Sequence, residues 1–454
     1  MTERLVVVGG DAAGMSAAAQ ARRRRSDLEI AVFERSQYTS YSACGIPYWI
    51  GDEVEEMDAL IARSPAQHRA NGLDVQTGCE VVGIDPRGRS VQVRDVSTGA
   101  TRHEGYDHLL IATGSLPNRP DLPGINAPNV HGVQVLDDGV ALRATLDLPD
   151  TRRVVVAGGG YIGLEIAEAA KSRGFDVTVI DRSHTPIGVF DDDIGEYIAA
   201  AIRGLGIGLV VDQPIAAIET VDGRATGVRT ADGSLYPADV VVLGLGVRPN
   251  VSLARDAGIP IGDAGGIVVD QRMHTPIDGV WAAGDCVESF HRVSGRHVVI
   301  ALGTHANKQG RVAGINLGGG YATFPGVIGT AVTKVCAWEV GRTGLSEREA
   351  HQAGFGFVTA AVDATTRAGY YPGAQPIRVK VLAERGRGRL LGAQIVGREG
   401  AAKRIDVLAT AIWNEMAVSE VINLDLSYAP PFAPVWDPVL VAARQAAAAV
   451  ERAG

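Results

Sequence analysis

At 454 residues the chain is too long for a single hydrophobic core, and about three domains are expected. Its 46% hydrophobic and 21% charged residues are those of a globular protein, which argues against both disorder and a membrane protein. A net charge of −9 argues against a nucleic-acid partner, and the one basic run, residues 22–25, reads mainly as a solvated helix face.

Residues 4–9, RLVVVG, form a short apolar run of the buried parallel-strand type. Gly9, Gly10 and Gly14 follow, and an alanine-rich helix is predicted over 13–24. A second β-branched run, 28–33, ends at Glu34, close to the spacing of about 20 residues at which such an acid binds a ribose hydroxyl. Glycines permit the tight turn and the helix N-terminus faces a pyrophosphate, so this is a dinucleotide-binding unit. Its middle glycine is replaced by Asp11, whose side chain must point away from a pyrophosphate and is expected to cap the helix. One such turn is a weak signal. It recurs, however: RRVVVA at 152–157 leads into Gly158, Gly160 and Gly163, a helix over 162–173, and a strand over 176–180 ending at Asp181. Two units mean two dinucleotides, or one fold used twice. Asp181 at a strand end favours NADH, because a carboxylate repels a 2′-phosphate, while Arg182 and His184 are the contacts NADPH would use.

Between the two units lie a predicted meander over 74–96 and the segment HLLIATGS, 108–115. VVVLGLGVRPN, 240–250, and GVWAAGDC, 279–286, come after the second. Each ends an apolar strand in a small-residue turn that lets a cofactor approach closely. Asp285 is placed either to accept from a sugar-like hydroxyl or to serve as an ordinary turn aspartate. Strands predicted over 330–335, 357–362, 377–382 and 390–396, then a helix over 401–415, indicate a separate α+β domain. The proline-rich tail, 424–438, carries Tyr428, Phe432 and Trp436 and is expected to lie ordered against a surface.

The four cysteines, Cys44, Cys79, Cys286 and Cys336, form no C-x-x-C and no metal-type pair, and a disulfide scaffold is implausible at this size. No leader pattern precedes the first strand, so the chain reads as cytoplasmic. Cys44 lies in YTSYSACGIPYWIG, 38–51, where the backbone must turn among aromatics. By itself this stretch fits a small buried thiol as well as a reactive one.

Taken together, the two glycine turns, ATGS at 112–115, GVRPN at 246–250 and AAGDC at 282–286 resemble the pyridine nucleotide-disulfide oxidoreductase superfamily over nearly the whole chain. The resemblance implies an α/β fold with two Rossmann-like domains and an α+β dimerisation domain. The implied divisions are FAD-binding at 1–115 and 246–325, NAD(P)-binding at 116–245, and dimerisation at 326–454. It implies FAD and NADH or NADPH as cofactors, contacted by Gly9, Gly14, Glu34, Arg35, Ser42, Ala112, Thr113, Gly114, Gly158, Gly160, Tyr161, Ile162, Gly163, Glu165, Asp181, Gly246, Gly284 and Asp285. Within that set Tyr161 resembles a gate over the flavin and Glu165 a nicotinamide-side carboxylate.

The position five after Cys44 is Trp49 and no histidine lies beyond His351, so the arrangement resembles the single-cysteine branch of coenzyme A-disulfide reductases, NADH oxidases, NADH peroxidases and persulfide reductases. SYSACGIPY and YAPPF resemble the reductases' segments. This implies Cys44 as the redox cysteine, Tyr370 and Tyr428 as catalytic tyrosines from a neighbouring subunit, and a homodimer. Ser16, Gln20 and Arg23 form one polar stripe on the first helix, which on spacing alone equally suits solvent. With Ser40 and Asn307 the resemblance makes them substrate contacts. The basic residue expected near Asn71 is absent, Trp436 replaces a lysine, and Ala43 replaces a common asparagine.

The expected activity is NAD(P)H-dependent reduction of coenzyme A disulfide or a related small disulfide or persulfide. An oxidase or peroxidase cycling through a cysteine sulfenate, and a redox-sensing flavoprotein without rapid turnover, are the alternatives. A thiolate nucleophile requires that the Cys44 pKa be low.

Overall fold

The computed structural model describes residues 2–453. Its first unit is a five-stranded parallel sheet in the order 280–282, 108–111, 4–8, 29–34, 74–77. Continuous apolar runs suit these strands because both faces are covered. Leu5 and Val7 pack toward helices Ala12–Arg24 and Gly303–Leu317. Val6 and Val8 pack the other way, on a three-stranded antiparallel meander of 79–85, 90–95 and 101–105. The meander therefore starts and ends later than predicted. Asp74–Thr77, expected to open it, instead pairs in parallel with Ala31–Glu34 as the sheet's fifth strand.

The second unit repeats the design. Strands 208–210, 176–180, 153–157, 240–243 and 130–131 form a parallel sheet. Val154 and Val156 face the helices Leu136–Leu146, Tyr161–Ser172 and Asp192–Gly204, whereas Val155 and Ala157 face the antiparallel strands 215–221 and 224–230.

The last third is an antiparallel sheet in the order 331–335, 338–344, 390–397, 376–384, 357–365. The strand Trp338–Gly344 and the final helix Pro438–Ala453 were not anticipated. Alternation assigns the two sides of strand 376–384. Ile377, Val379 and Val381 pack among the residues of helices Ala401–Trp413 and Pro438–Ala453. Arg378 and Lys380 point to the second unit, where Lys380 Nζ meets Asp193 at 2.6 Å and Asp191 at 3.0 Å, while Glu347 of its own domain closes the cluster at 2.6 Å. Gln394 adds hydrogen bonds to Asp191 on the same side.

Candidate active site

Each glycine turn is closed by its own acid in the same way. Glu34 accepts from Gly10 N–H at 2.7 Å and from Ser36 N–H at 2.8 Å. Asp181 accepts from Gly159 N–H and from Ser183 N–H, the latter at 2.7 Å. A carboxylate oxygen holding one backbone N–H keeps a lone pair for a ribose hydroxyl. Gly9 and Gly158 stand at φ +104° and +103°, and a Cβ on either would meet a backbone oxygen, Ala112 O at 2.2 Å or Gly244 O at 2.3 Å. Gly14 and Gly163 are pressed against the Gly9 and Gly158 carbonyls by the helix that follows.

Asp11 sits at the N-cap position without capping, contrary to expectation; its Oδ1 accepts from Tyr41 N–H at 3.3 Å. Burial, then the charge of Glu34, raises its carboxyl to about 7. The negative charge that the sequence required to point away from a pyrophosphate is thus weakened where it stands, about half of it remaining at neutral pH.

A cavity of about 810 Å³ runs along the first glycine turn. It is lined by Gly9, Glu34, Arg35, Ser42, Cys44, Ala112, Thr113, Gly114, Ile162, Glu165, Gly284, Asp285 and Asn307, among others. Gly14 lies beneath this wall. Gly158, Gly160, Tyr161, Gly163, Asp181 and Gly246 lie outside it, as do Ser16, Gln20, Arg23, Ser40, Tyr370 and Tyr428. Asp285 faces the cavity, where among the described residues only the Ser115 hydroxyl, 3.2 Å away, donates to it, and burial raises its pKa. A half-satisfied carboxylate of this kind fits a polyhydroxylated ligand chain, and the Glu34 clasp fits a ribose. The residues present therefore fit FAD.

Cys44 is exposed and free, in the short 3-10 turn Ala43–Gly45 that runs into helix Ile46–Ile50. Contrary to the expected low pKa, its thiol is pushed up, first by desolvation, because its exposed surface opens into the cavity described above, and then by the charges of Glu165 and Asp285. Glu165 is itself raised by burial, opposed by a 3.0 Å hydrogen bond from the Thr333 hydroxyl of the third domain. Tyr161 packs edge-on against Phe190, its hydroxyl buried without a partner among the described residues and its pKa pushed up to about 12 by burial.

Of the proposed substrate contacts, Ser16 donates to Asn307 Oδ1 at 2.7 Å, Gln20 follows on the same helix, and Arg23 is exposed. Tyr370 and Tyr428 are exposed and adjacent in the third domain; desolvation, then Tyr370, raises Tyr428. The tail is ordered as expected, because Arg404 donates to Phe432 O at 2.8 Å and pairs with Asp437 at 3.2 Å. Its aromatic side chains nevertheless face outward, Phe432 being 75% exposed.

Several residues escaped sequence reasoning. Gln309 is buried, accepts from Gly284 N–H at 2.8 Å and so fixes the turn that carries Asp285. Gln134 donates to Ser115, and Thr333 reaches Glu165 from a different domain. Only a buried glutamine on an otherwise small-residue helix face carried any local signal.

The chain matches the pyridine nucleotide-disulphide oxidoreductase family over residues 3–310 and the dimerisation domain of that family over 330–438. It belongs to this family. It is an oxidoreductase, and its cofactors are FAD and NAD(P)H. A Pyrococcus horikoshii protein named NAD(P)H coenzyme A polysulfide/persulfide reductase is 36% identical over 98% of each chain. A Methanocaldococcus jannaschii protein named NADH oxidase is 34% identical, again over 98% of each. The solved structure of an NAD-dependent persulfide reductase from A. fulgidus superposes with a TM-score of 0.95 at 38% identity, covering 99% of this chain and 83% of that one. No helix among the described residues is long and apolar enough to cross a membrane.

Proposed function

We propose that the chain uses NAD(P)H to reduce coenzyme A disulfide, or a related small disulfide or persulfide, through Cys44. The observation that carries this reading is that Cys44, an exposed free thiol, shares one cavity with the first glycine turn and with Ile162 and Glu165 of the second unit. The names of the persulfide reductase relatives are in keeping with it.

When bound, the cofactors supply a two-electron path from a nicotinamide to a sulfur. Glu34 and Asp285 would accept from hydroxyls of FAD, with Gly9, Gly14, Arg35, Ser42, Ala112, Thr113, Gly114, Gly246 and Gly284 completing its site. Gly158, Gly160, Gly163 and Asp181 would hold the nicotinamide dinucleotide, with Tyr161, Ile162 and Glu165 toward its reactive end. Asp181 makes NADH the preferred reductant. His184, the alternative phosphate contact with Arg182, already pairs with Asp212 at 2.9 Å.

The Cys44 thiolate attacks one sulfur of the disulfide, forming a mixed disulfide and releasing the other half as a thiolate. That thiolate takes a proton from Tyr428 of the partner subunit or Tyr370 of the partner subunit. The overall balance is one NAD(P)H, one proton and one disulfide giving NAD(P)⁺ and two thiols. Ser16, Gln20, Arg23, Ser40 and Asn307 would line the approach of the substrate.

The domain divisions in this reading are 1–115 with 246–325 for FAD, 116–245 for NAD(P) and 326–454 for dimerisation. The reaction belongs in the cytoplasm, where thiols stay reduced. Steady-state turnover with coenzyme A disulfide, coenzyme A persulfide, peroxide and oxygen, compared at equal NADH, tests the reading. Disulfide or persulfide should dominate and Cys44→Ser should abolish it. Faster turnover with oxygen would shift the assignment to an NADH oxidase, and no turnover with any of them to a redox sensor. Mixing Cys44→Ser with Tyr428→Phe chains should restore one intact site per heterodimer.

A further inference from the structure

Ser40, in the segment leading to Cys44, adopts φ +48°, a left-handed conformation that a non-glycine residue holds only when its surroundings impose it. Here the Ser40 N–H donates to the Gly10 carbonyl at 3.2 Å, and its own carbonyl accepts from Ala62 N–H at 2.9 Å. The Ser40 hydroxyl lies 3.0 Å from Nε2 of His68 and has no other hydrogen-bond partner among the described residues. His68 belongs to the short helix Pro65–Ala70, whose start is fixed by a capping box between Ser64 and Gln67.

A histidine in this position is unusual. It is only 2% exposed, and its Nδ1 is buried with no partner among the described residues. Burial, then the nearby charge of Arg63, lowers its pKa to about 4, so the ring is neutral near pH 7. A neutral ring carries one proton. Placed on Nδ1, that proton would make a buried N–H without an acceptor, which folded proteins avoid more strictly than an unused lone pair. The proton is therefore assigned to Nε2, with Nε2–H donating to Ser40 Oγ. The hydrogen of the Ser40 hydroxyl is left uncommitted on a partly exposed residue.

We propose that His68 is a positioning residue: by donating from Nε2 it fixes the Ser40 hydroxyl as a hydrogen-bond donor to an oxygen or sulfur of the incoming disulfide. This rests on the reading of the chain as a disulfide reductase with Ser40 at the substrate.

The test is a cycle of His68→Phe, His68→Gln and Ser40→Ala in the FAD-loaded enzyme, with KM and kcat for coenzyme A disulfide measured separately. His68→Phe should raise KM about 3- to 10-fold, the scale of one neutral hydrogen bond, with the loss falling on KM rather than kcat. Ser40→Ala should do the same, and the double variant should be no worse than either single one. His68→Gln, whose amide nitrogen can stand near the Nε2 position, should recover most of the loss. Additive losses, or no rescue by His68→Gln, would overturn the proposal. A Ser40→Ala defect with a wild-type KM in His68→Phe would overturn it while leaving Ser40 at the substrate. Wild-type KM in Ser40→Ala would overturn it while leaving disulfide reduction intact. An unaltered enzyme without disulfide turnover would remove the wider reading as well. If His68→Phe does not fold, the smaller His68→Leu, which also removes the donor, takes its place in the cycle with Ser40→Ala and decides the question.

Discussion

Replacing Gly14 or Gly163 by alanine should separate the two cofactor sites. A Cβ on Gly14 would stand 1.9 Å from the Gly9 carbonyl oxygen, and one on Gly163 would stand 2.0 Å from that of Gly158. Close carbon–oxygen contacts settle at about 3.3–3.6 Å, so the helix must retreat from its turn by roughly 1.5 Å. No rotamer change can absorb this, because the atom met is backbone. Overpacking of this kind costs about 1–3 kcal/mol. If the displacement stays within the turn, that becomes roughly a 5- to 150-fold loss of affinity for the dinucleotide seated there. Gly14→Ala should therefore lose FAD on dialysis, followed by flavin absorbance and fluorescence. Gly163→Ala should keep its FAD and need more NADH for half-maximal anaerobic bleaching of the flavin. Wild-type affinity for both cofactors in both variants, or FAD loss from Gly163→Ala alone, would refute the assignment of turns to cofactors.

Lys380→Met should destabilise the chain by about 3 kcal/mol, the low end for a broken buried ion pair, because Asp193 and Glu347 remain partly solvated. Hydrogen exchange should show the loss between helix Asp192–Gly204 and the last sheet, and a loss below about 1 kcal/mol in denaturant titration would show the cluster idle. Glu165 carries a pKa raised above 4.5 by burial, so its ionised form opposes folding. Below about pH 4.5 it is protonated folded and unfolded, and the penalty grows as pH rises from there to the raised folded value, above which it is constant. Glu165→Gln should therefore match the wild-type melting temperature near pH 4 and exceed it near pH 8; equal values at both would remove the burial penalty. Asp181→Asn should shift the NADPH-to-NADH ratio of kcat/KM about 10-fold toward NADPH, the scale of one charged hydrogen bond, and an unchanged ratio would place the 2′-discrimination elsewhere.

Both parallel units were legible in the sequence because local rules coincide there: an apolar run, a glycine turn, an alanine-rich helix and an acid at a strand end. Glu34 and Asp181 sit where that spacing puts them, each clasping its own turn. Contacts that cross between domains were not legible. Thr333 reaches Glu165 and Lys380 reaches Asp193 only because the last sheet packs on the second unit, and no periodicity within either segment encodes that packing. Asp74–Thr77 was misassigned for a related reason, since a short half-buried run does not reveal whether its neighbour lies beside it in sequence or across a sheet. His68 gave no signal, because a histidine among polar residues looks solvated until the helix carrying it is seen to bury it.

Cys44 is where the local and the non-local parts of the site meet. The charges raising its pKa within the subunit are Glu165, Asp285 and Asp11, all acids, and they add to burial in disfavouring the thiolate. A thiolate nucleophile needs donors or cations, which on this chain lie elsewhere. Tyr370 and Tyr428 are 78% and 46% exposed, beside Phe432 and Trp436 on a segment that Arg404 holds in place. A rigid backbone presenting outward aromatics is costly in water, and the family to which the chain belongs pairs through this domain. In the function proposed above, a second subunit covers those aromatics and carries two phenol hydroxyls to Cys44, which would account for both facts. On that reading the thiol, disfavoured as an anion in the single chain, would gain nucleophilicity only with the dimer in place.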